Sequence, residues 1–239
     1  MLLHDNLKYF YAYAILGKEK YNALPDDTRM WLVQLTAMAL SILATLVIAS
    51  FNKQKTLSLL GLDKNPLRAF IVAACCTSVM FIGYMFITTL RSPISFYELF
   101  RDAMWPGFNE ELIFRAFITG ILVREAGWNF IPAALISALL FAKGHLYQAT
   151  NPGEAISIFM LTSGAGIGFA VFYWLWGWNI WFTVFMHFLM NLSFELFDVG
   201  NTTLLNGQAN IFRSITLGLA IIYTVILVYK RKKAEAMNR

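Results

Sequence analysis

Between Glu154 and Glu195 the chain carries no Asp, Glu, Lys or Arg. At ~1.5 Å of rise per residue, a helix of that stretch would be on the order of 60 Å long, about twice the hydrocarbon core of a bilayer. A segment so long and so free of charge belongs in lipid, and it must turn back on itself once. The sequence WLWGWNIW around Gly177 marks the turn, because tryptophan concentrates at membrane interfaces. Two spans result, at about 155–176 and 178–198.

The rest of the chain follows the same pattern. Residues 30–52 and 69–90 contain no charge, and each is long enough to cross a bilayer. Further spans are expected at about 106–123, 128–147 and 211–229. The mixed stretch 92–108 holds Pro93, Pro106 and Gly107, and it reads as an interfacial or re-entrant segment. Composition agrees: 58% of the 239 residues are hydrophobic and 14% are charged, where a soluble domain carries about 25% charge. A disordered chain is excluded by the same numbers. The expected fold is all-α, a polytopic membrane helix bundle of about seven transmembrane helices. Residues 1–29 form an N-terminal interfacial segment, 30–229 the transmembrane bundle with a motif-bearing core at 106–198, and 230–239 a basic tail. No cleaved signal peptide is recognisable at the N-terminus.

The net charge of +5 calls for no nucleic acid, because Lys and Arg mark cytoplasmic loops in a membrane protein. The tail KRKKAEAMNR is therefore expected in the cytoplasm. Counting back, the loop holding Lys53, Lys55, Lys64 and Arg68 falls on the same side, and the start of the third span and end of the fourth fall on the other. The adjacent Cys75 and Cys76 read as small hydrophobic residues in a lipid-buried helix. Gly164 and Gly168 form a small-xxx-small pair that would let a neighbouring helix approach closely.

Polar groups inside a bilayer are costly and point to a function or a partner. The third span carries Glu110, Glu111 and Arg115 in NEELIFRAF. The fourth ends FAKGHL, with Phe141 and His145. The sixth carries MHFLMN, with His187 and Asn191. Two of the three histidines of the chain are in this set. Glu111 and Arg115 are four residues apart and can pair on one helix face, as can His187 and Asn191. The third and fourth spans are consecutive and antiparallel, which brings Glu110 and His145 to similar depth.

These residues carry a resemblance. Glu110-Glu111-Leu-Ile-Phe-Arg115 is similar to the EExxxR motif of the CPBP family, the CAAX-protease and bacteriocin-processing intramembrane peptidases. Phe141-Ala-Lys-Gly-His145 resembles that family's FxxxH motif, and His187-Phe-Leu-Met-Asn191 its HxxxN motif. The three occur in the family order, each on an expected span.

Peptide hydrolysis needs a held water, a base, and donors for the developing oxyanion. Glu110 is the candidate general base, because a carboxylate in low dielectric is a better proton acceptor. His145 is its partner in activating the water, and His187 and Asn191 are the candidate oxyanion donors. The resemblance implies the same assignment. Glu111, Arg115 and Phe141 are supporting residues, with Arg115 neutralising Glu111. No cofactor is expected. The alternative is zinc, with Glu110, His145 and His187 as ligands and water fourth. The absence of HExxH from every span excludes a zincin-type site. The implied substrate is a membrane-embedded peptide or lipid-modified protein, and the implied setting a bacterial cell membrane. The competing readings are a non-catalytic bacteriocin-immunity or membrane assembly protein, and a transporter with a polar relay.

Overall fold

The structure is a computed structural model that describes residues 10–51, 55–199 and 207–238, with the backbone alone at residue 12. Helix accounts for 83% of the described residues, and no strand occurs among them. We label the main helices α1 (Asp26–Phe51), α2 (Pro66–Ile87), α3 (96–124), α4 (Phe130–Gly144), α5 (Pro152–Leu175), α6 (Ile180–Leu196) and α7 (Gly207–Met237). Five stretches are long and apolar enough to cross a membrane: α1, α2, Phe130–Gln148 (α4 with its 3₁₀ extension), α5 and α7; α6 is a shorter apolar helix of 17 residues. Together they make the chain an integral membrane protein. The expected seven is approximate because α3 carries Arg101, Asp102, Glu110, Glu111, Arg115 and Arg124. It is helical throughout but not apolar.

The chain packs as two compact units, each built from two separate stretches. One comprises Met1–Leu60 with Leu112–Gly166, and the other Gly61–Glu111 with Ile167–Arg239. Helix α3 passes from one unit to the other between Glu111 and Leu112, and α5 between Gly166 and Ile167.

In the first unit, α1 opens with Asp26 and Asp27, acidic residues that suit the positive end of the helix dipole. Asp26 is also paired with Arg29. Val33, Ala37, Ser41, Thr45 and Ala49 are buried at intervals of four. They form the narrow small-residue stripe expected of a packed membrane helix. The hydroxyls of Ser41 and Thr45 return to the carbonyls of Ala37 and Ser41, at 2.9 and 2.7 Å, so neither is left bare in an apolar surround. Val33 and Ala37 pack with Ile113, and Ala49 with Leu59 and Ile121. The close approach expected at Gly164 and Gly168 does not occur there: a Cβ on either would meet nothing within 4 Å. It occurs at Gly166, where an added Cβ would lie 2.9 Å from Ala138 Cβ. A spacing of four identifies a small-residue stripe but not which of its neighbours lies under another helix.

The second unit holds the larger apolar core, formed by α2, α6, α7 and the end of α5. Helix α2 starts at Pro66, with Asn65 capping it by accepting a hydrogen bond from Arg68 N. Trp176 stacks on Phe182 with ring centroids 3.9 Å apart and donates its indole N–H to Thr224 Oγ1. The expected turn between the fifth and sixth spans is present. Gly177 and Trp178 have φ of 68° and 61°, and Asn179 caps α6 by accepting from Trp181 N. The ends of α2 and α6 are clasped by Arg91 N to Leu196 O and Asp198 N to Thr89 O, and by an Arg91–Glu195 ion pair.

The stretch 92–108, read from sequence as interfacial or re-entrant, is helical from Phe96 and continues without interruption into the motif-bearing segment. Pro106 is tolerated because it sits in the first turn of the α-helical piece Trp105–Glu110, where its fixed φ already suits the helix. Helix α7 runs on through the basic tail to Met237, since KRKKAEAM has good helix formers and no Gly or Pro. Of the N-terminal segment, Tyr11–Ile15 and Lys18–Asn22 are short helical turns. Residues 1–9, Lys53 and residues 200–206 lie outside the described residues.

Candidate active site

Four of the singled-out residues lie in the second unit. Glu110 closes the α-helical piece Trp105–Glu110, and Glu111 opens a π-helical piece, Glu111–Ile121. His187 and Asn191 lie one turn apart on α6. The structure brings both carboxylates to one imidazole: Glu111 Oε1 is 2.9 Å from His187 Nδ1, and Glu110 Oε2 is 3.7 Å from His187 Nε2. Glu111 is fully buried, while the side chain of Glu110 retains 23% exposure. The two neighbours therefore differ in setting, one sealed in and the other reachable from outside the protein interior. Asn191 Nδ2 donates to Asp102 O at 3.3 Å, which leaves its second amide hydrogen for another acceptor.

The close approach that permits this geometry is at Gly107. A Cβ there would lie 2.8 Å from both the Cα and the N of Phe188, the residue after His187. These are backbone atoms, so they could not move aside as a side chain end could. The sequence marked Gly107 only as a helix breaker; its role is to let α3 touch α6 beside the histidine. Asp102 and Phe169 were also missed. Asp102 contributes a backbone carbonyl, which any residue could supply, so its identity carries no signal. Phe169 meets the His187 ring edge-on at a centroid distance of 5.8 Å.

Arg115, Phe141 and His145 lie in the first unit. The Arg115 guanidinium, 1% exposed, sits over the Phe141 ring at 4.5 Å. The same ring meets His145, with centroids 4.4 Å apart, and Phe114 edge-on at 5.3 Å. His145 follows the last turn of α4, and its Nδ1 lies 2.9 Å from Phe141 O. A carbonyl oxygen only accepts, so Nδ1 carries the hydrogen, and in the neutral ring Nε2 is then the basic nitrogen. The FxxxH spacing thereby has a physical reason: Phe141 holds His145 through both its ring and its carbonyl. Around Arg115 the backbone is π-helical, with i to i+5 bonding, and Thr119 Oγ1 donates to Phe114 O five residues back. The four-residue spacing of Glu111 and Arg115 was read on α-helical geometry, and the wider π turn changes the relative direction of such a pair. Among the described residues, no group of three or more His, Cys, Asp or Glu side chains is placed to hold a metal ion.

No curated protein and no solved structure matches the chain. A family model does, the one described as type II CAAX prenyl endopeptidase, Rce1-like, over residues 92–193. That stretch begins just before α3, ends just after Asn191 and contains all three motifs. Through residues 92–193 the chain thus matches the Rce1-like CAAX endopeptidase family, bearing out the CPBP intramembrane peptidase resemblance that its motifs carry.

Proposed function

We propose that the chain is an intramembrane endopeptidase that hydrolyses a peptide bond of a membrane-embedded or lipid-attached substrate, with Glu110 as the general base. The observation that carries this reading is the Glu110–His187–Glu111 arrangement. It sets a partly exposed carboxylate, able to meet water, beside an imidazole whose other edge is already held. A structural ion pair needs only one carboxylate, and helix capping needs no histidine.

In the proposed reaction Glu110 takes a proton from a water molecule as the water oxygen attacks the scissile carbonyl carbon. The carbonyl π electrons move to oxygen, giving an oxyanion. His187 and the second amide hydrogen of Asn191 donate to that oxyanion. With Nδ1–H given to Glu111, His187 donates from Nε2 when the ring carries both hydrogens. Collapse of the tetrahedral intermediate breaks the C–N bond, and the proton held by Glu110 passes to the departing amine. The motif resemblance implies that His145, whose Nε2 is the basic nitrogen, also takes part in activating the water. This is the glutamate-type mechanism, without a metal. The apolar surround suits a substrate delivered by lipid, and the matched family is described as prenyl endopeptidases, which points to a prenylated C-terminus. We place the chain in a bacterial cell membrane, processing a membrane peptide.

Substrate trapping tests the reading. The Glu110→Gln protein, expressed in its host, should stay folded and cause a defined set of membrane peptides to accumulate uncleaved, as identified by mass spectrometry. An unchanged membrane peptidome would favour the non-catalytic assembly or immunity reading.

A further inference from the structure

In the proposed reaction Glu111 only accepts a hydrogen from His187, although it is the most completely buried of the acidic groups near the reaction. We propose that Glu111 is the positioning residue of His187: it accepts the Nδ1–H and holds the ring so that Nε2 stays turned toward Glu110. The inference rests on the reading of His187 as a hydrolytic donor, and it assigns Glu111 a role that pairing with Arg115 does not include.

A histidine ring turned over about its Cβ–Cγ bond exchanges a nitrogen edge for a carbon edge while occupying nearly the same space. Apolar packing cannot tell the two apart, so the edge-on contact of Phe169 at 5.8 Å fixes the plane of the His187 ring but not its direction. The close backbone approach at Gly107 fixes the distance between the helices and is equally indifferent to the direction of the ring. Glu111 Oε1 lies 2.9 Å from Nδ1, closer than Glu110 lies to Nε2, and this contact is satisfied only when Nδ1 points that way. With Nδ1 so held, Nε2 faces Glu110 Oε2 at 3.7 Å. Consecutive α-helical side chains diverge by about 100°. The change from α to π helix falls between Glu110 and Glu111, and across it the two successive carboxylates address opposite edges of one ring. A fully buried carboxylate is costly to keep. A supporting hydrogen bond to a working histidine is the kind of use that repays it.

The test uses the full chain in detergent micelles with ¹⁵N-labelled histidine; three histidines make the spectrum assignable. Activity is read with a fluorogenic farnesylated peptide ending in Cys-aliphatic-aliphatic-X. Glu111→Leu removes the acceptor. We expect it to move the ring-nitrogen signals of His187 and leave those of His145 in place. It should lower kcat about 10- to 100-fold with KM within about twofold. Glu111→Gln keeps an acceptor oxygen and should retain the wild-type His187 signals and most of kcat. Glu111→Asp keeps the charge but shortens the reach by one methylene. It should shift the His187 signals even if the leucine variant fails to fold. Unchanged His187 signals in the leucine or aspartate variant, or equal loss of kcat in the leucine and glutamine variants, overturn the positioning role. The nitrogen signals need no substrate. A wild-type protein that leaves the peptide intact therefore counts against the peptidase reading for that substrate, while the positioning role is judged on the spectra.

Discussion

At the scale of single residues, the identities of the polar side chains were legible and their partners were not. Glu110, Glu111, His187 and Asn191 stand out because apolar helices rarely carry them, and the structure gathers these four in one unit. What each one touches depends on helix type and on a glycine contact, and neither is visible as composition. Arg115 shows the consequence. Its guanidinium lies flat on Phe141, a contact that the EExxxR spacing does not announce. Arg115→Ala should lower the melting temperature in detergent, costing at least about 2 kcal/mol from the lost desolvated cation–aromatic contact. The cost rises to about 3–5 kcal/mol if the change also strands the buried Glu111 carboxylate. Arg115→Lys should recover only part, since an ammonium cannot lie flat on the ring. A fully stable Arg115→Ala protein would contradict this. The glutamate-type mechanism makes a second residue-scale prediction: active protein should contain far less than one zinc per chain, and chelation should leave its activity intact. About one zinc per chain, with activity lost on chelation and restored by zinc alone, would turn Glu110, His145 and His187 into ligands.

At the scale of elements, the uncharged runs gave α1, α2, α5 and α6 to within a few residues, because hydropathy dominates where nothing else competes. The failures have identifiable causes. The first ten residues of α3 were hidden by their charges and by Pro106, both of which a local reading treats as breakers. The π-helical piece Glu111–Ile121 leaves no mark in apolar periodicity over so few turns. The glycine stripe of α5 was found, but the residue in contact was not. Gly166→Ala would press a Cβ to 2.9 Å from Ala138 Cβ, a short branch that cannot swing away. It should destabilise the protein by about 1–3 kcal/mol. Gly164→Ala meets nothing within 4 Å and should be neutral, or stabilising by about 0.5–1 kcal/mol through reduced backbone freedom. Parallel thermal melts check the contrast, and equal shifts in the two variants would refute it.

At the scale of the whole molecule, composition identified a membrane-embedded helical protein. It did not reveal that the chain packs as two units of interleaved sequence, because division into units depends on long-range contacts. Orientation follows from charge and from counting. Three apolar helices, α5, α6 and α7, lie between Gln148 and the basic end of α7, so the two should face opposite sides of the membrane. With the lysines cytoplasmic, position 148 faces outward, and His145 with it. Single cysteines at Gln148 and Lys233, in a background lacking Cys75 and Cys76, should respond differently to an impermeant reagent in intact cells. Position 148 should label and position 233 should not; labelling of both or neither would refute this topology. Catalysis by Glu110 can be measured on purified protein reconstituted in liposomes with a membrane-anchored peptide identified by trapping. The wild type should cleave it at a single bond, and Glu110→Gln, equally folded, should be slower by about 10²- to 10⁴-fold, the usual contribution of a general base. Cleavage by Glu110→Gln at the wild-type rate would contradict the account.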